Sequence, residues 1–491
     1  MPRTIAVVGG GAAGVILSAH LLRAAASSGR ADGGVHVLLV DPAETPGRGL
    51  PYRTTDPRHT LNAVVARLSA FDDDPEHLLR WCASAGVPAE PGTFLQRADF
   101  GRYLTELLSS SPVPDGSSLR HVRGTVVDVE DGLGVGNGAG GAVGPGRGDG
   151  AGVTLTLADG GTLRADSAVL ALGTPPPVRL PEYEPWGDRY VADPWSPDLD
   201  ARAAGARRVL VVGTGLTTLD VVAHLHPLLP DARFTAVSRG GALPAAHAPD
   251  PLPPAVEVDL GAGGSGTGGY GHSSDDVRDE DGARRTLTLA RALDHVRGRI
   301  SAERAAGRDW RAVIDAVRPQ VNPVWARLSA EERATFQREH ARSWENVRHR
   351  MSHAMRTHVD QLVADGVLTV GTVASVRGGN EWDPRSFDLV VGATGLPPLT
   401  SPGWNPLVDA LVARGLVRPH PLGTGLDLTP DAALVDAAGV GHPRLRAMGL
   451  ARRGLEWECT SVPDLRRQAA QLADELLGAA RRSLSAALPH P

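Results

Sequence analysis

Two clusters of glycine, an acid at a strand end and a surplus of arginine are the residues here whose types and spacing could do chemistry. In TIAVVGGGAAG, Thr4 to Gly14, a mostly β-branched run leads into Gly9, Gly11 and Gly14, and LSAHLLRAAA follows with the apolar spacing of a helix. The order is strand, tight turn, helix. A turn that binds a dinucleotide needs glycine for the turn itself, for the approach of backbone to pyrophosphate, and for close packing of helix on strand. The helix N-terminus adds unpaired N–H groups and a partial positive charge. A second strand, VHVLLVD, ends in Asp41, placed to accept both hydroxyls of an adenosine ribose.

The motif recurs. RRVLVVGTGLTTLDVVAHL again runs strand, glycines, helix, with Gly213 and Gly215 and with Thr218 in place of the third glycine. The next strand, RFTAVSRG, finishes in Ser238 and Arg239 where the first unit has its acid. A carboxylate would repel a 2′-phosphate, whereas a hydroxyl and a guanidinium bind it. The second unit therefore reads as a site for NADPH rather than NADH.

The elements that must position these residues form an α/β protein with two Rossmann-like dinucleotide-binding domains, the second inserted into the first, plus a helical segment. The expected first domain covers 1–178, the NADPH domain with its helical insertion 179–386, and the return to the first domain 387–491. LRHVRGTVVDVED reads as one strand carrying Val126 on the adenine side, and VTLTLADGGTLRADSAVLALG as a hairpin returning to the central sheet. GLGVGNGAGGAVGPGRGDGAG and LGAGGSGTGGYGHSSDDVRDEDGARR are low-complexity and expected to be flexible. Between the second of these and SFDLVVGATGLPP the pattern is helical, with a capping box from Ser329 to Glu332. Arg291, Arg348, His349, Arg350 and Arg356 make this segment cationic and a source of an anion pocket.

Composition removes several chemistries. The two cysteines, Cys82 and Cys459, form no CxxC-type pair, so a flavin-disulfide mechanism is excluded. Every one of the 50 basic residues is arginine, which rules out Schiff bases and a P-loop lysine. A net charge of -6 gives no reason to expect nucleic acid or an anionic membrane. Without a long apolar run or a leader-like start, a cytoplasmic location is expected.

Two glycine turns followed by the ATG turn at Gly395 resemble the flavoproteins in which an NADPH domain is inserted into an FAD domain. Within that superfamily DLVVGATGLPP resembles the corresponding motif of the amino acid N-hydroxylases, with Gly392 and Leu396 departing from the usual large apolar residue before ATG and aromatic residue after it. The Baeyer-Villiger signature is absent. PGRGLPYRTTDPRHTLN and RRGLEWECTSVPDLRRQ are similar to a bacterial group that includes L-aspartate N-hydroxylases forming nitrosuccinate.

The resemblance implies FAD on Gly9, Gly11, Gly14, Asp41, Arg48, Gly49 and Val126, and NADPH on Gly213, Gly215, Ser238, Arg239 and Gly395. It places Thr460 and Ser461, at the start of the last helix, against the flavin pyrimidine. Arg97 heads a helix and contacts phosphate or pairs with a carboxylate. His59 and Asn62 reach the flavin or substrate, or belong to a polar surface loop. A dicarboxylate would need arginine anchors, for which Arg291 and one of Arg452 or Arg453 are candidates, with His59 as a third contact. NADPH and O2 would be consumed to hydroxylate an amine, with no protein nucleophile and no metal. An FAD/NADPH oxidoreductase serving another acceptor and a non-catalytic flavin-binding sensor are the rival readings, and oligomeric state, homodimer included, stays open.

Overall fold

The computed structural model describes residues 2–27, 34–131, 152–250, 256–261, 287–374 and 386–478. Both low-complexity stretches lie mostly outside these residues. Strands β1 (Arg3–Val8) and β2 (Val35–Asp41) flank helix α1 (Ala12–Ser27), as the first glycine motif requires. The last four residues of β1 are buried on both faces, as expected of a parallel strand covered on each side.

Helices α2 (His77–Ser84) and α3 (Arg97–Ser110) follow, then β3 (Ser118–Arg123), β4 (Val126–Asp131), β5 (Val153–Leu157), β6 (Thr162–Ala165) and β7 (Ser167–Leu170). The single strand expected over LRHVRGTVVDVED is two. It breaks at Gly124, whose N–H donates to Asp41 O at 3.2 Å, while Thr125 O accepts from Ala158 N at 2.8 Å. β3 thus stays parallel beside β2, and β4 turns into an antiparallel sheet of order β4-β5-β6. Val126 opens β4 with its side chain buried in that sheet's core.

The second unit contains β8 (Tyr190–Val191), α4 (Leu199–Ala203), β9 (Arg208–Val212), α5 (Leu216–Leu225) and β10 (Arg233–Ser238). Next come helices α6 (Leu289–Ala305), α7 (Arg311–Val317), α8 (Val321–Arg327), α9 (Ala330–Thr335), α10 (Ala341–Arg348) and α11 (His353–Ala364). The chain closes with β11 (Leu368–Thr372), β12 (Leu389–Gly392), α12 (Pro406–Ala413), β13 (Ala433–Val435), β14 (Gly441–Ala447) and α13 (Val462–Leu477).

The first sheet has the order β13-β14-β7-β1-β2-β3 and the second β11-β10-β9-β12-β8. β12 pairs parallel with β9 across Leu389 to Gly392, so these residues belong to the second sheet and not to the return segment expected from 387. All four are buried, and a short apolar run of this kind is stable as an interior parallel strand. β14 then rejoins the first sheet beside β7, and α13 packs along α1. Cys82 and Cys459 are buried free thiols, and no described helix is long and apolar enough to cross a membrane.

Gly14 is a position of the first turn that tolerates no side chain. A Cβ there would stand 1.9 Å from Gly9 O, whereas on Gly11 it would meet only the Gly49 Cα at 3.7 Å. Gly14→Ala is expected to lower the unfolding free energy by about 2–3 kcal/mol and Gly11→Ala by much less, which denaturant titration of the two variants would compare.

Candidate active site

The first glycine turn is held open by backbone. Gly9 has φ +110°, and a Cβ on it would lie 2.2 Å from Ala171 O. Gly49, at φ +52°, faces Gly11 from the following loop, so the space between them is lined by main chain at the N-terminus of α1. A pyrophosphate fits such a cradle. Gly10 and Ala43 donate their N–H groups to the two oxygens of Asp41, which orients the carboxylate and leaves lone pairs for a ribose. Arg48 is exposed beside this loop, its stem against Gly101.

The second turn has the same construction. Gly213 has φ +141°, with Ala393 O 2.1 Å from where a Cβ would stand, and Gly215 caps α5. Thr218, in the place of the third glycine, is fully buried and its hydroxyl has no hydrogen-bond partner among the described residues. Ser238 departs from expectation. Its Oγ lies 2.8 Å from Thr214 Oγ1 and accepts from Gly241 N at 3.0 Å, so it closes its own turn instead of projecting toward a phosphate. Arg239 is exposed and keeps the expected role open, as does Gly395, exposed in the loop after β12. Sequence reading missed Arg342 on α10. Its guanidinium nitrogens lie 3.8 and 4.0 Å from the position of a Gly215 Cβ, directly over the turn. Nothing in its local sequence separates it from neighbouring arginines; the packing of α10 does.

Between the two units runs a polar seam. Arg97, at the head of α3, donates through Nη2 to Asp220 Oδ2 at 2.7 Å and through Nε to Thr60 O at 3.2 Å. Of the two roles open to it, carboxylate pairing is the one realised. His59 is 5 % exposed; its Nδ1 lies 2.8 Å from Thr54 Oγ1 and its Nε2 3.3 Å from Asp220 O. Burial holds the imidazole below its ordinary range, against the pull of Asp220 and Asp56, so it is neutral. Asn62 accepts from His247 through its carbonyl at 3.1 Å and lines, with Thr60, Leu61, Leu216 and Met355, a crevice between the units. His59 and Asn62 are therefore seam residues rather than a surface loop. Asp56, His59 and His224 each place one metal-ligating atom within 4.8 Å of the others. Both nitrogens of His224 are already hydrogen-bonded, to Asp56 and Asp200 at 2.6 Å each, and Asp56 also accepts from Arg58 at 2.8 Å.

The tail carries the corrections among the arginines. Arg452 has no solvent exposure and pairs with Glu456 at 2.6 Å, while its Nε and Nη1 are buried without a hydrogen-bond partner among the described residues. Arg453 pairs with Glu345 at 2.9 Å and stacks 4.0 Å over Trp457. Arg291 stands exposed in the first turn of α6, and Arg356 pairs with Asp360 at 2.8 Å on the surface. Ser461 caps α13 in a box with Asp464 and accepts from Arg318 at 3.0 Å, so its hydroxyl is engaged; Thr460 before it is exposed.

Arg318 brings the helical segment to the start of α13 and opens a buried cationic cluster that the sequence only partly foreshadowed. Burial, then Arg348, pushes Arg318 down to about 10. Arg348 lies 3.5 Å from Glu458, which also accepts from Trp344 Nε1 at 2.7 Å. Arg350 and Arg67 share Asp315. His349 is pushed down to about 4 by burial first and Arg348 next, so it stays neutral. Arg348 Nε and Arg350 Nε are buried without a hydrogen-bond partner among the described residues, and Arg348 Nη2 has only its ion pair with Glu458. Buried guanidinium N–H groups left open in this way are suited to an anion.

Residues 6–175 match a family described as FAD-NAD(P)-binding. No protein of curated function matches the chain in sequence. Among solved structures, L-lysine 6-monooxygenase from Pseudomonas syringae is 16 % identical with a TM-score of 0.57, over 97 % of this chain and 99 % of its own. The FAD-bound cadaverine monooxygenase of the desferrioxamine pathway of Erwinia amylovora is 12 % identical with a TM-score of 0.57, over 97 % and 95 %. The ornithine N-hydroxylase of Kutzneria sp. 744, in complex with reduced FAD, NADP+ and L-ornithine, is 16 % identical with a TM-score of 0.50, over 98 % and 100 %. The chain thus has the fold shared by these N-hydroxylating monooxygenases along nearly its whole length.

The seam has a definite pH response. Burial raises Asp56, but hydrogen bonds from Arg58 and His224 outweigh it and bring the carboxylate well below its ordinary 3.8. Burial lowers His224, but bonds to Asp56 and Asp200 win and raise it above its ordinary 6.5. The Asp56 contribution is present above 3.8 and lost as pH falls through its depressed value; that of His224 is present below 6.5 and lost as pH rises through its raised value. Wild-type stability relative to His224→Gln should therefore be greatest between about pH 4 and 6.5 and narrow above neutrality, as paired melting curves across pH would register.

Proposed function

We propose that this chain is an FAD-dependent, NADPH-consuming monooxygenase that hydroxylates the amine of a small amino acid, with L-aspartate as substrate, carried through N-hydroxyaspartate to nitrosuccinate. The observation that carries the substrate choice is the buried cluster of Arg318, Arg348 and Arg350 near the start of α13, in which Arg348 Nε and Arg350 Nε have no hydrogen-bond partner among the described residues. The two glycine turns support the cofactor assignment. FAD, when bound, supplies the redox chemistry, taking hydride from NADPH and activating O2 for transfer of one oxygen to the amine.

The chain's own residues bind, orient and exclude water. Main chain at Gly9 to Gly11 and Gly49 receives one pyrophosphate, and Gly213 to Gly215 under Arg342 receives the other. Asp41 takes the ribose of the first dinucleotide and Arg239 the 2′-phosphate of the second. The arginine cluster attracts carboxylates, and by the same field disfavours a second positive charge, so it lowers the amine's tendency to hold its proton. N-oxidation needs the neutral amine, and a diamine such as cadaverine brings no carboxylate to offset the field. The cluster therefore favours a net anionic substrate over the diamines and basic amino acids named for the structurally similar enzymes.

Purified protein given NADPH should oxidise it faster with L-aspartate than with ornithine, lysine or cadaverine and yield N-oxidised product. Equal NADPH use with and without every amine, giving only peroxide, would overturn the substrate claim while leaving the cofactors in place. Arg348→Met should raise the KM for aspartate about tenfold or more, the cost of a charged hydrogen bond, with FAD content unchanged. The cofactor arginines separate by ligand: Arg239→Met should lose about tenfold in affinity for NADPH but little for NADH.

A further inference from the structure

Helix α5 is used twice. Its first turn is the phosphate end of the second glycine motif, and five and nine residues past Gly215 it carries Asp220 and His224. These two, spaced i and i+4, share one face, and that face is joined to the other domain. Arg97 of α3 donates to Asp220 Oδ2 at 2.7 Å, His59 Nε2 lies 3.3 Å from Asp220 O, and Asp56 Oδ2 lies 2.6 Å from His224 Nδ1. Trp195 backs the junction, its ring 5.6 Å from His59 and 5.8 Å from the Arg97 guanidinium. Asp220 is 5 % exposed, so its charge depends on Arg97 and the pair has little freedom to part.

We propose that Asp220 and His224 are positioning residues that set the distance between the nicotinamide and flavin sites, by bolting the NADPH-binding helix to the 54–62 loop and Arg97 of the flavin domain. The inference rests on the cofactor assignment above. An α-helix is stiff and rises about 1.5 Å per residue, so a shift at Asp220 moves Gly215 with it. Hydride passes from the nicotinamide to the flavin only when donor and acceptor atoms come within about 3–3.5 Å, and misplacement by about 1 Å costs up to about 100-fold. The crevice lined by Asn62, Leu216 and Leu219 opens at this same seam, where the two rings would have to meet. A buried ion pair stabilises a fold little better than apolar residues of its shape; what it adds here is one fixed register between two domains.

The test is anaerobic stopped-flow reduction of the FAD-loaded protein by NADPH, alongside NADP+ affinity from perturbation of the flavin spectrum. Asp220→Asn keeps shape and removes the charge. It should slow flavin reduction at saturating NADPH about tenfold or more, while NADP+ affinity and FAD content change less than twofold. His224→Gln, at a position less buried than Asp220, should slow reduction two- to fivefold in the same way and serves if Asp220→Asn does not fold. Reduction at the wild-type rate in a folded variant, or a loss confined to NADP+ affinity, overturns the positioning role. Wild-type flavin left oxidised by NADPH instead overturns the cofactor assignment beneath it, so the two failures are distinct.

Discussion

A carboxylate shut away from water on the helix that begins at Gly215 constrains this protein more than any other single group. Burial pushes the Asp220 carboxyl above its ordinary range, Arg97 is the strongest group opposing that rise, and Arg97 belongs to the other domain. The pairing ties α3 to α5, places His59 against the Asp220 carbonyl and brings Asp56 within reach of His224. Two domains that each fold around their own mostly parallel sheet are thereby denied independent orientation. The crevice between them, and the relation of one glycine turn to the other, follow from that restriction.

Arginine is the second organising theme, because the chain has no other permanent cation. Its arginines divide by environment. Those on exposed helical faces, such as Arg297 and Arg356, pair with acids one turn away and contribute little. Arg452 is enclosed with Glu456 beneath α13 and serves packing of the tail. Arg67, Arg318, Arg348 and Arg350 converge from an N-terminal loop and the helical segment on the start of α13, with Asp315 and Glu458 as their nearest acids. Desolvation of so much like charge is costly, and the open N–H groups it leaves are the feature that points to an anion.

Much of the fold was legible because glycine and alternation are local signals. Gly9, Gly14 and Gly213 are where they are because a Cβ would strike a carbonyl oxygen, a demand any sequence meets in the same way. The paired sheets, the inserted second domain, the helical segment and the last helix could all be read from runs and punctuation. Two boundaries could not. The strand through Val126 breaks at Gly124 because the chain must leave one sheet for another, and Leu389 to Gly392 joins the second sheet because β9 offers the free edge.

The site divides along the same line. Sequence by itself determined the two glycine turns and the acid that ends β2, since each depends on residues adjacent in the chain and on backbone geometry that a few neighbours dictate. Tertiary structure alone decided which polar groups face one another. It turned Ser238 into its own loop, enclosed Arg452, left Arg291 on the surface, set Arg97 against Asp220, brought Arg342 over Gly215 and gathered Arg318 with Arg348. The electrostatic energy of a long side chain depends on burial and on partners more than a hundred residues away, and no local pattern encodes either.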